Sequence, residues 1–182
     1  MIKQAIPLIV LMNGTSMTMA DPMAIKQEVK PIIQSFAKNL QSQLMQAVQS
    51  GGPVAGIQVC NIEAPRLAKQ HSQSDWQVAR TSLKYRNSDN APDAWETEQL
   101  QKFDQQALKG KDPQQMWAIQ EDAKQIRVMK AIPTKGLCLT CHGQQIAPAV
   151  SAKLDELYPN DLATGYELGQ IRGAFSLTKT KR

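Results

Sequence analysis

The feature that most constrains this chain is the segment CLTCHG at residues 138–143. Two cysteines separated by two residues, with a histidine directly after the second, form the attachment signature of c-type haem. In this chemistry the thiols of Cys138 and Cys141 add across the two vinyl groups of the porphyrin, and His142 supplies the proximal iron ligand. The motif therefore predicts one covalently bound haem c.

Three other kinds of site share this cysteine spacing. A thioredoxin-type redox pair belongs at the strand-to-helix junction of a βαβ unit, and no such pattern surrounds the motif. A structural zinc site needs four ligands, so His71 and Cys60 would have to complete it. A disulfide between Cys138 and Cys141 is the plainest alternative. The haem interpretation is favoured over all three because the N-terminus predicts export, and bacteria attach haem c outside the cytoplasm.

Residues 1–20 have the pattern of a secretory signal peptide. They contain a single early lysine, a short apolar run and a small-x-Ala cleavage site at residues 18–20. An N-terminus without a targeting role is the rival interpretation. The apolar run is too short to span a bilayer, and no later stretch is long and apolar enough. We therefore expect a periplasmic protein without a membrane span, whose single domain occupies residues 21–182.

The charge pattern argues against one class of partner, and the cysteine count leaves one thiol unpaired. The formal net charge is +5, spread along the chain with one local cluster at residues 179–182. Basic and aromatic residues are not interleaved, so we expect no nucleic-acid binding. The chain has three cysteines. If two of them carry haem, Cys60 is left unpaired in an oxidising compartment.

Hydrophobic spacing predicts the order of elements. Helices are expected at 22–49, 61–69, 93–108 and 150–157, and strands at 76–86, 116–119, 125–132 and 170–177. Residues 54–60 are ambiguous between helix and strand. Leu108 is expected on the inner face of its helix, and His71 in an exposed loop. Hairpin-linked strands with segregated helices predict an α+β domain with an antiparallel sheet.

Seven short motifs occur together in chain order. They are VCN at 59–61, RTSLKxRN at 80–87, APDxWE at 91–96, MxAIP at 129–133, CLxCHG at 138–143, YPxDxAxGY at 158–166 and GxIRGA at 169–174. With them the chain resembles a bacterial and cyanobacterial family of extracytoplasmic c-type haem domains, long catalogued as a domain of unknown function. The resemblance runs from about Asp21 to the end of the last strand.

The resemblance implies a PAS-like antiparallel sheet flanked by helices and preceded by a long N-terminal helix. It also implies one haem whose iron is held by His142 and by the thiolate of Cys60. In relatives the domain can be the sensing part of a membrane histidine kinase. No transmitter domain follows here, so a free-standing version is implied.

Chemistry alone leaves the second axial ligand open. Methionine is the common partner of histidine in electron-carrying cytochromes c. Met45, Met116 and Met129 are the candidates that lie in the mature chain away from its terminus. His71, an open coordination site and Cys60 are the other options. For the haem propionates, the candidate partners are Arg80, Lys84, Arg86 and Arg172. The alternative for these four basic residues is a solvated surface.

Three functions follow from these interpretations. A thiolate ligand stabilises ferric over ferrous iron and is labile on reduction, which favours a redox or diatomic-gas sensor that signals to a protein partner. A periplasmic electron carrier with a redox partner is the alternative. A peroxidase-like enzyme is the weaker one, because the sequence indicates no distal acid or base.

Overall fold

The computed structural model describes residues 19–72 and 75–181. Its helices are α1 (Pro22–Gln58), α2 (Ala64–His71), α3 (Ala94–Leu108), α4 (Gly136–His142) and α5 (Pro148–Leu157). Its strands are β1 (Trp76–Thr81), β2 (Trp117–Glu121), β3 (Gln125–Pro133) and β4 (Ile171–Thr180). Residues 1–18 of the predicted signal peptide lie outside this part of the chain. The boundary before Asp21 therefore stays a prediction.

The four strands form one antiparallel sheet in the order β1-β4-β3-β2. The predicted β2–β3 hairpin is present, and the Asp122 side chain closes its turn by accepting from the backbone amides of Lys124 and Gln125 at 2.7 and 2.9 Å. β4 lies between β1 and β3, so the end of the chain is a central strand. The predicted α+β class, with a PAS-like sheet behind a long N-terminal helix, is confirmed.

Helices cover both faces of the sheet, and each face has its own core. The core under α1 and α2 contains Ile25, Val29, Ile33, Phe36, Leu67, Trp76, Val78, Ile126, Val128 and Leu177. The core under α3 contains Leu100, Phe103, Met116, Met129, Ala131, Ile171 and Ala174. The prediction for Leu108 is wrong, since its side chain is 88% exposed. It is the last residue of α3, and Ala107 packs against the core in its place.

α1 begins where Asp21 accepts a hydrogen bond from the amide of Met23 at 2.9 Å. It continues through Pro31 and breaks at Gly52, whose φ of 72° is outside the helical region. The ambiguous residues 54–60 are helical, and Val59–Glu63 form a π-helical turn that leads into α2. The break and the π-turn together carry Cys60 away from the axis of the first part of α1.

His71 is not in an exposed loop, because α2 continues to this residue. Its Nδ1 donates to the Leu67 carbonyl at 2.8 Å. Its Nε2 then accepts from Ser35 at 3.2 Å and Asn39 at 3.3 Å, and the ring lies 5.5 Å from that of Phe36. His71 therefore belongs to the helix layer. Along the described ranges no helix has the length and apolarity needed to cross a membrane.

Candidate functional site

The CLTCHG motif lies on α4, a short helix after the loop that ends β3. Residues three apart on a helix share a face, so Cys138 and Cys141 lie on one side, with His142 at the helix end. The backbone amide of Lys135 donates to the Cys138 sulfur at 3.4 Å. Burial raises the pKa of the Cys141 thiol, against the charge of Arg86, which lowers it. All three cysteines of the chain are free thiols.

A cavity of about 230 Å³ opens beside α4. Polar lining residues come from four different elements. They include Cys60 of the π-turn, Arg80 of β1, Tyr158 at the end of α5 and Arg172 of β4. The motif residues Cys138, Cys141 and His142 also line it, together with Arg86. Its apolar wall comes from the second half of α1 and includes Leu40, Leu44, Val48 and Ile57. The structure thus brings seven of the eight predicted site residues to one space.

His142 is held as a neutral imidazole. Its Nδ1 donates to the carbonyl of Ala163 at 2.7 Å. Burial, with the nearby charges of Arg172 and Arg86, lowers the pKa of His142 well below its usual 6.5. The Nδ1 bond leaves Nε2 as the nitrogen with a free lone pair. A carbonyl acceptor on the far ring nitrogen is the usual support of a metal-binding histidine.

Arg86 joins the motif to the rest of the molecule. Its guanidinium pairs with Asp161 at 2.9 Å and donates to the Cys141 carbonyl at 2.6 Å and the Ala163 carbonyl at 3.3 Å. The Arg86 and Asp161 side chains are only 8% and 10% exposed. Arg86 therefore has a structural partner already, and its predicted contact with a propionate stays a prediction.

Arg80 and Arg172 carry charge into the cavity without an acidic partner. The Arg172 Nε is buried with no hydrogen-bond partner, while its Nη1 donates to Ser82 at 3.1 Å. Burial lowers the pKa of both arginines, and the Cys60 and Tyr158 side chains oppose this for Arg80. No aspartate or glutamate is present among the described lining residues. The cavity therefore has two guanidinium charges available for an anionic group.

Lys84 lies apart from this cavity. Its ammonium donates to the Thr164 carbonyl at 3.1 Å and lies 5.1 Å from the Tyr166 ring. Met116 and Met129 are buried under α3, and neither they nor Met45 line the cavity. The four-ligand zinc alternative lacks His71, which is bonded within the helix layer. Across residues 19–72 and 75–181, no group of three or more His, Cys, Asp or Glu is placed to hold a metal ion.

Sequence reasoning missed two contributors to the site. Tyr158 is buried at 8% exposure and lines the cavity, although the sequence indicates it only as the first residue of the YPxDxAxGY motif. The Ala163 carbonyl acts through its backbone, so its side chain carries no signal. A glycine inside a strand pattern indicates a close approach of backbone. Gly173 fits this rule, because a Cβ there would collide with the Thr81 carbonyl oxygen.

A family model described as Tll0287-like matches residues 12–179. The chain belongs to the Tll0287-like family. A solved structure described as the cyanobacterial haem protein Tll0287 is similar to it, with 25% sequence identity and a TM-score of 0.64. The match covers 90% of this chain and 98% of Tll0287. A comparison with curated proteins finds no match.

Proposed function

We propose that this chain binds one haem c, attached through Cys138 and Cys141, with His142 and Cys60 as the iron ligands. We further propose that it acts outside the cytoplasm as a redox or diatomic-gas sensor for a protein partner. The observation that carries the haem proposal is the shared cavity: the three cysteines and His142 line one space together. The similar structure of a haem protein supports it.

The donor set and the unpaired charges fit this group. Haem carries two propionates, and Arg80 and Arg172 are two cavity arginines without acidic partners. His142 is already the neutral tautomer that a metal requires. The wall of Leu40, Leu44, Val48 and Ile57 offers an apolar surface to the porphyrin ring. When bound, haem supplies a one-electron iron couple and a site for diatomic gases.

Sensing is favoured by the position of Cys60 on the π-turn. π-turns inside helices are uncommon and frequently occur at functional sites. This turn connects α1 to α2, both of which pack on the sheet. A change in the bond made by the Cys60 sulfur would therefore move the two helices that cover one whole face. Reduction of the iron weakens a thiolate bond and would therefore cause such a change.

The test compares haem-loaded wild type with Cys60→Ala by absorption and low-temperature EPR, in both oxidation states. We expect a low-spin thiolate signature in ferric wild type that the substitution removes, and carbon monoxide binding on reduction. Ile62→Ala is the matched control, because Ile62 is on the same turn and is 61% exposed. Unchanged spectra in Cys60→Ala would show that the thiolate assignment is wrong.

Electron transfer is the second candidate. It is favoured by Leu137, which lines the cavity beside Cys138 and is 38% exposed. An exposed apolar rim is the kind of surface that a redox partner contacts. A carrier keeps both ligands on reduction and excludes carbon monoxide. The same spectra therefore distinguish the carrier from the sensor.

A further inference from the structure

A second and larger cavity lies next to the first and shares Gly173 with it. It has a volume of about 620 Å³ and is formed by α3 and the segment 166–173. Small-molecule sites usually have volumes of about 300–1,000 Å³ and mostly apolar walls with a few polar groups. The cavity shares none of Cys60, Cys138, Cys141 and His142 with the first one.

Leucine and isoleucine side chains line this second cavity at both buried and exposed positions. Leu100 and Ile171 are buried at its floor. Leu108 and Leu168 are also in the lining, yet they are 88% and 70% exposed. Within residues 19–72 and 75–181, nothing covers these two exposed leucines, so they leave apolar surface in water. An apolar ligand body in the cavity would cover this surface.

The cavity also holds a carboxylate without a hydrogen-bond partner among the described residues. Asp104 is half-buried on the cavity side of α3, and burial raises the pKa of its carboxyl group above the usual value, although Lys84 opposes this. The Lys84 ammonium already donates to Thr164. The other carboxylate of the lining, Glu167, accepts from Gln144 at 2.8 Å. Asp104 is thus the polar group in the cavity that a ligand could satisfy.

We propose that this cavity binds a small organic ammonium compound with an apolar body. The ammonium pairs with the Asp104 carboxylate, and the apolar body packs between Leu100 and the two leucines at the mouth. The charged lining residues are Asp104, Glu167 and Lys84, so an anionic ligand of the same shape would meet two carboxylates and one ammonium, which already donates to Thr164. A neutral ligand would gain the apolar contact alone. The site does not depend on haem, so it goes beyond the function proposed above.

The first test uses three probes that share one apolar body: 2-phenylethylamine, 2-phenylethanol and 3-phenylpropionate. Each is titrated into the full haem-loaded protein, with binding followed by calorimetry and by protein NMR. We expect saturable binding of the amine, with the alcohol and the carboxylate at least about tenfold weaker, since a charge-assisted bond adds that much. Absence of saturable amine binding in the millimolar range would overturn the proposal.

The second test uses matched variants on one helix. Asp104→Asn should weaken amine binding at least about tenfold and leave the alcohol unchanged. Glu98→Gln removes the same charge from the exposed face of α3, where Glu98 pairs with Lys102, and should leave amine binding unchanged. Leu168→Ser changes an exposed residue and should weaken all three probes. Equal amine affinity in Asp104→Asn and wild type would show that the carboxylate does not recognise the ligand.

Discussion

Gly173 is the residue at which the two cavities meet. It is in the lining of both, and its φ of 155° is one that side chains rarely adopt. It lies on β4 beside the end of β1, where Thr81 pairs with Ala174. A side chain at this position has no space, because the nearest atom is the Thr81 carbonyl rather than a flexible side chain. The close approach of the β1 and β4 backbones at Gly173 therefore separates the two cavities.

Gly173→Ala should lower the free energy of unfolding by more than about 2 kcal/mol, since it combines an unfavourable φ with a backbone collision. Gly169→Ala is the control. Gly169 also has a positive φ, of 85°, but no atom lies within 4 Å of the added Cβ. We expect it to cost about 1 kcal/mol. Denaturant unfolding of both variants measures the difference, and equal losses would show that the collision is relieved by local movement.

The Arg86–Asp161 pair holds α4 against the segment 158–166. Because both side chains are nearly buried, removing one leaves the other as an uncompensated charge. Arg86→Gln should therefore destabilise the protein by about 3 kcal/mol. Arg66→Gln breaks the exposed pair with Glu63 and should cost less than about 1 kcal/mol. Chemical denaturation checks both values. A loss of stability in Arg86→Gln no larger than in the control would show that this pair does not hold α4 in place.

At the scale of elements, the sequence predicted what depends on local spacing. The β2–β3 hairpin and the helix expected at 93–108 follow from turn signals and hydrophobic spacing. The helix expected at 22–49 continues instead to Gln58 as α1, with a break at Gly52. The π-turn at Val59–Glu63 has no such signal, because it depends on how α1 meets α2. The exposure of Leu108 and the contacts of His71 with α1 also depended on tertiary packing, which periodicity does not contain.

The contact between α1 and the sheet edge should depend on pH. Glu28 on α1 accepts from Lys179 at 2.8 Å and from the Trp76 indole at 2.9 Å. The bond to Lys179, then that to Trp76, lowers the pKa of Glu28 from its usual 4.5. A lowered carboxyl pKa stabilises the fold above the unfolded value, and this contribution is lost as pH falls through the folded pKa.

Glu28→Gln should therefore reduce stability by about 1 kcal/mol at pH 7, with the difference from wild type vanishing at pH values below 4.5. Thermal unfolding across this range gives the measurement. Glu156→Gln breaks an exposed pair within α5 and should change stability by less than about 0.5 kcal/mol at either end. A difference for Glu28→Gln that persists unchanged in acid would contradict the assignment.

At the scale of the whole molecule, the sheet and the candidate site rest on different cores. The two clusters that cover the sheet contain none of the motif residues. A third cluster joins Ile57 on α1 to Val150, Leu154 and Tyr158, with Cys141 packed against it. The fold class could thus be predicted from the spacing of the strands and helices. The sequence also named Cys60 and three arginines of the site, but it did not indicate Tyr158 as a site residue, because the third cluster brings that residue in from a distant segment.

If haem is attached as proposed, preventing its attachment should loosen the region around the third cluster and leave the sheet unchanged. In Cys138→Ala/Cys141→Ala we expect amide protection to fall in α4, α5 and the π-turn, while β1–β4 keep theirs. Hydrogen exchange on both forms gives the comparison. Leu137→Ala, within the same helix, serves as the control and should retain haem. Uniform loss of protection across the sheet would show that haem supports the whole fold.

The order of strands has a consequence for how the protein is made. β4 separates β1 from β3, so β1 finds no neighbour until the ribosome has added residues 171–180. Until then the nascent chain has only the β2–β3 hairpin, and an isolated hairpin is marginal in water. Cys138 and Cys141 are synthesised before that point. If the chain is exported and takes up haem as proposed, these thiols would also leave the membrane ahead of residues 171–180, so an attaching enzyme would meet them before the sheet is complete.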